Sequence, residues 1–110
     1  MGNKSIKSIG YRDTLDKLVV ALCKDYPSRH NAIISGECSK RTQMEYEYIN
    51  RKINEAAIEV AEDDYELFIK EIGDSRGYAR SKVFDISEST YKRKKQEIKI
   101  NIARKLNLLD

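Results

Sequence analysis

Between Tyr11 and Leu106 the apolar residues recur every three or four positions and nowhere alternate, a spacing that builds helices with one buried face and does not build strands. Tyr11, Leu15, Leu18, Val19, Leu22 and Tyr26 share one face, and Pro27, the sole proline, is expected to stop this first helix. Residues 28–41 carry Ser28, Asn31, Ser35, Gly36 and Ser39 with little periodicity, so they read as a loop with at most a short turn near Ala32–Ile34. Ser39 or Thr42 then caps a second helix, in which Tyr46, Ile49, Ile53, Ala56, Ala57 and Val60 face inward and Glu45, Glu55 and Glu59 face out. A break near Asp63 separates a third element, with Leu67, Phe68 and Ile72 inward and Gly73 at the helix-stop position. A short helix from Tyr78 to Phe84, a turn at Asp85–Ser87 and a long helix from Glu88 to about Leu106 complete the expectation. The expected fold is all-α: an N-terminal helical hairpin over residues 1–62, whose apolar stripes also suit dimerisation, then a C-terminal helix-turn-helix over residues 63–110.

Several function classes are set aside by what the chain lacks. The longest strongly apolar run, Leu18–Cys23, is far short of the ~18 residues a membrane span needs. The N-terminus has no secretory apolar segment, and Ile6 stands where a myristoylation signal needs Ser or Thr, so a cytoplasmic location without membrane attachment is expected. In that reducing setting Cys23 and Cys38 are expected to stay as thiols. With His30 as the only histidine and no tight Cys pair, neither a metal nor a cofactor is expected. Glu55, Glu59 and Glu62 at helical spacing form a solvated face, and no Gly-rich phosphate loop or nucleophile–base pair is present, so an enzyme is not expected.

Charge is segregated along the chain. The net charge is +3, but residues 1–40 hold seven Lys/Arg against four Asp/Glu, residues 41–74 four against ten, and residues 75–110 ten against four. The running balance is therefore +3, −6 and +6. A basic end on a nearly neutral chain is an electrostatic footprint for a polyanion.

Within that basic end, a helix-turn-helix needs a short first helix, a tight turn with a buried apolar residue and a second helix whose capped first turn enters the major groove. Val83 and Phe84 would anchor the first helix, Ile86 would plug the turn, and Ser87 is placed to cap the second. Asp85 occupies the turn position that many such motifs give to glycine, and Asp enters the left-handed region more readily than most residues. Tyr91, Ile98, Ile102 and Leu106 supply the inward stripe. At roughly 100° per residue, Ser89, Lys92, Arg93 and Gln96 fall opposite it, with Lys94, Lys95 and Lys99 on the flanks. Arg and Gln make paired hydrogen bonds to base edges, while Ser89, Thr90 and the lysines suit phosphates. The candidate DNA-binding residues are thus Ser89, Thr90, Lys92, Arg93, Lys94, Lys95, Gln96 and Lys99, with double-stranded DNA as the partner.

Ile86-Ser87-Glu88-Ser89-Thr90-Tyr91-Lys92-Arg93 resembles the turn and recognition helix of sigma-70 region 4. The wider stretch 63–109, with Tyr78-Ala79-Arg80-Ser81-Lys82 and the Ile102-Ala103-Arg104-Lys105-Leu106 ending, is similar to phage late-transcription regulators of the RinA and ArpU type. The resemblance implies activation of phage or prophage late genes through contact with promoter DNA, with RNA polymerase as a further partner; the apolar faces of the first two helices separately suit a homo-oligomer, and a dimer would match a two-fold operator. The alternatives from other classes are a packaging component similar to small terminases and a helical protein-interaction module.

Overall fold

A computed structural model describes residues 10–83 and 85–109. Among the described residues, five α-helices and two single 3₁₀ turns make up the regular structure, and no strand occurs. The helices are α1 (Asp13–Lys24), α2 (Tyr26–Ser35), α3 (Lys40–Ala61), α4 (Tyr65–Gly73) and α5 (Glu88–Lys105), with the turns at Glu62–Asp64 and Tyr78–Arg80. The all-α expectation holds.

Pro27 does not end the helical run. The break is one residue, Asp25, and Pro27 sits in the first turn of α2, where its missing N–H is not needed. The loop expected over residues 28–41 is therefore mostly helix. Apolar periodicity misses α2 because its main anchor is polar. The buried Arg29 donates from Nε to Asn50 Oδ1 at 2.7 Å and from Nη2 to the Leu22 carbonyl, while Tyr26 Oη donates to Asn54 Oδ1 at 2.9 Å. Gly36, with φ 69°, closes α2, and Ser39 caps α3 by accepting from the Thr42 amide at 3.2 Å.

The expected break near Asp63 is present, with Glu62 in the left-handed region at φ 50°. Gly73 has a different role from the one expected. It lies inside the last turn of α4, and the left-handed residue is Ser75, at φ 54°. A Cβ on Gly73 would stand 2.8 Å from the backbone N and Cα of Lys24, so glycine is what lets the ends of α1 and α4 touch.

One core unites all these helices. Ile53, Ala56, Ala57 and Ala61 of α3, Phe68, Ile69 and Ile72 of α4, Val19 and Cys23 of α1, and Tyr91, Ile98, Ile102 and Ala103 of α5 are its buried members. The expected N-terminal hairpin is not how these helices pack: α1 lies against α4 and α5, and α3 lies against α2, α4 and α5. The alanines of α3 and Ala103 are small enough to let α5 settle closely, so most of the stripe read as a dimerisation surface is spent inside the molecule, while Leu18 stays exposed. No described helix is long and apolar enough to cross a membrane.

Candidate nucleic-acid interface

The N-terminus of α5 is built as the sequence indicates. Ser87 Oγ accepts from the Thr90 amide at 3.2 Å and donates to Thr90 Oγ1 at 3.0 Å, and Ser89 Oγ lies 3.2 Å from it. Asp85 adopts φ 68° in the turn before it. The helix expected over Tyr78–Phe84 does not form. Only the turn Tyr78–Arg80 is helical, Ser81 is extended at φ −69° and ψ 147°, and Phe84 lies outside the described residues. The described residues between Asp74 and Ser87 hold one 3₁₀ turn and no α-helix, in place of the tight helix-turn-helix arrangement.

The physical reason is Glu71, whose residue is 0% exposed. Its carboxylate accepts from Ser81 Oγ at 2.7 Å, from the Lys82 amide at 2.6 Å and from Tyr91 Oη at 2.7 Å. A backbone amide given to a carboxylate is not available to a helical ladder, so the segment stays extended. Burial alone would raise the Glu71 pKa, but these three donors outweigh it and hold the group below its ordinary value. Burial and the same hydrogen bond push Tyr91 up to about 12. The Tyr91 ring is flanked by Phe68 and Tyr78, each with its centroid 5.6 Å away, and Tyr78 Oη donates to the Ile86 carbonyl at 2.9 Å. Ile86 is half-buried against this group.

The eight candidate residues separate into two sets. Ser89, Lys92 and Arg93 are exposed, and Thr90, Lys94 and Gln96 are half-buried along the same stretch of α5. Lys92 Nζ lies 2.9 Å from Glu88 and Arg93 Nη1 3.2 Å from Glu97, both as exposed pairs one turn apart. Such pairs are worth only tenths of a kcal/mol, so they yield readily to a phosphate. Lys95 and Lys99 turn the other way. Lys95 Nζ donates to the Arg76 carbonyl at 2.5 Å and lies 5.2 Å from the Tyr91 ring centroid. Burial first, then the nearby Lys99, lowers its pKa. Lys99 Nζ is 2.8 Å from Asp16 Oδ1, and its side chain is 16% exposed. These two lysines bind α5 to the rest of the molecule.

Cations outside the eight candidates also gather here. Lys24, Arg76, Arg80 and Lys82 line an open concavity together with Gly73, Gly77 and Ala79, with Asp74 as its one acid among the described residues. Arg76 pairs with Asp74 at 3.4 Å, whereas Lys24, Arg80 and Lys82 are exposed and form no ion pair among the described residues. The excess of positive charge in residues 75–110 signals Arg80 and Lys82, but Lys24 arrives only because α1 ends against Gly73.

No trio of His, Cys, Asp or Glu able to hold a metal occurs among the described residues. Cys23 is buried, which pushes its thiol up to about 12, and Cys38 is a half-buried free thiol. No protein-family model, curated protein or solved structure matches the chain.

Proposed function

We propose that the protein binds double-stranded DNA through the first three turns of α5 and acts as a transcription regulator, the role implied by the resemblance of residues 63–109 to phage late regulators. The observation that carries the reading is the outward row Ser89, Lys92, Arg93 and Gln96 on a capped helix N-terminus, held only by exposed one-turn pairs. The exposed helix end adds partial positive charge of its own. Arg93 and Gln96 have the chemistry to read base edges, and Lys92 and Lys94 to hold phosphates. Arg80 and Lys82 on the loop that leads into α5, together with Lys24 at the end of α1, add a second cationic surface. Lys95 and Lys99 serve the reading indirectly, by fixing how α5 is presented.

The test is fluorescence anisotropy with labelled duplexes across a salt series. With about five phosphates neutralised, log Kd should change with log salt at a slope of about 4 to 5 in magnitude. A chain that shifts no duplex at low salt sinks the reading. Arg93→Ala or Gln96→Ala should cost specific binding more than non-specific binding, by roughly 1–3 kcal/mol of discrimination. Equal losses on every sequence would instead make α5 a backbone clamp, as a packaging component requires.

A further inference from the structure

The inward face of α3 is consumed by the core, yet its outward face carries Met44, 62% exposed, and Tyr48, 40% exposed, beside a patterned row of charges. Measured around the helix from Tyr48 at roughly 100° per residue, Arg41, Met44, Glu45, Arg51, Lys52 and Glu55 all fall within about 60° of it. The pattern is self-complementary. Turned end for end about Tyr48, Arg41 meets Glu55, Glu45 meets Lys52, and Met44 meets the aliphatic stem of Arg51. A parallel pairing would set each charge against its own kind.

We infer that this face of α3 docks on the same face of a second copy of the chain, antiparallel, with a two-fold axis at Tyr48. A two-fold interface must be self-complementary, because residue i meets j and j meets i, and this stretch satisfies that condition within Lys40–Ala61. The charges are free to exchange partners. Within the chain, Arg41 reaches Glu45 at 3.8 Å, Arg51 reaches Glu55 at 4.0 Å and the half-buried Lys52 reaches Glu55 at 3.7 Å, all long contacts. Tyr48 prepares the face. Arg51 Cζ and Lys52 Nζ lie 5.7 and 5.5 Å from its ring centroid, which holds both cations along the surface before a partner arrives. A single pair of crossed helices buries less than a standard interface, so the dimer forms in the micromolar range. None of these residues lies on α5 or its connecting loop, so the inference stands or falls independently of DNA binding.

Sedimentation equilibrium of the full chain over tens to hundreds of micromolar should show monomer and dimer in exchange. Glu45→Lys and Lys52→Glu each occur twice in a two-fold interface, so each should weaken the dimer about tenfold, and the two together should restore most of it. In a Cys38→Ser background, Tyr48→Cys on the axis should form a disulfide with its own copy on mild oxidation, and Glu47→Cys on the flank should not. A chain that is monomeric at every concentration overturns the pairing. So does a dimer indifferent to both reversals, a double reversal that restores nothing, or a crosslink through Glu47→Cys in place of Tyr48→Cys.

Discussion

Where α1, α2 and α3 meet, the buried charged group is a cation, Arg29, whereas where α4, the following loop and α5 meet it is an anion, Glu71. Neither forms an ion pair among the described residues, and both are satisfied by neutral partners. The two joints differ in depth and in what they tie. Arg29 retains 6% exposure and binds helix to helix, whereas Glu71 is closed from water and binds helix to an irregular segment. A joint between helices has apolar packing to fall back on, but the connection before α5 depends on its carboxylate.

That contrast orders the expected effects of substitution. Glu71→Gln turns into a donor either the oxygen that accepts from Ser81 and Tyr91 or the one that accepts from the Lys82 amide, and should destabilise by about 3 kcal/mol in urea melts. It should also weaken duplex binding by loosening the loop that carries Arg80 and Lys82. Arg29→Met fills a similar volume but leaves the buried Asn50 Oδ1 and the Leu22 carbonyl without this donor, so about 1–2 kcal/mol is expected, with duplex binding unchanged. Equal losses of binding from the two variants would break the comparison.

Acid sharpens it further. Glu71 sits below its ordinary pKa, and Asp16 does too, because hydrogen bonds from Lys99 and Tyr11 outweigh the burial that would raise it. A depressed carboxyl contributes stability that is complete above its unfolded pKa of roughly 4 and is lost as pH falls through the folded value. The Arg29 guanidinium stays protonated throughout that range and contributes no acid transition. Urea midpoints should therefore fall between about pH 5 and pH 2, and Glu71→Gln should flatten part of that fall while Arg29→Met leaves its slope intact. A Glu71→Gln curve parallel to wild type would refute this assignment.

The smallest effect concerns the lysines that turn inward. Lys95→Met should cost about 1 kcal/mol or less of stability and leave the salt slope of duplex binding nearly unchanged, whereas Lys92→Ala should reduce that slope by about one unit. A one-unit change from Lys95→Met would place its amino group on the DNA side after all.

What could be read from sequence follows the range of the forces involved. The stripe Tyr91, Ile98, Ile102, the Ser87 cap, the left-handed Asp85 and the break near Asp63 are local consequences of spacing and side-chain type, and the structure contains each of them. α2 was hidden because Arg29 and Asn50 hold it, and their spacing carries no apolar signal. The segment Tyr78–Lys82 has adequate helical propensity, but its helical turn stops at Arg80 because the Glu71 carboxylate takes the donors of Ser81 and Lys82. Lys95 and Lys99 differ from Lys92 only in where their long side chains find partners, and Asp16 and the Arg76 carbonyl are set by tertiary structure.

The central place of α5 has a consequence for how the chain assembles. α3 and α1 both pack against α5, and Phe68 of α4 lies beside its Tyr91, so the core closes on a helix that is the last of the five to be synthesised. Until α5 emerges, the earlier helices carry apolar faces with nothing to cover them, and such surfaces invite chaperones or aggregation. A fragment cut before α5 inherits the same exposure permanently, so the first 62 residues are not a unit that can be lifted out, expressed and studied in isolation.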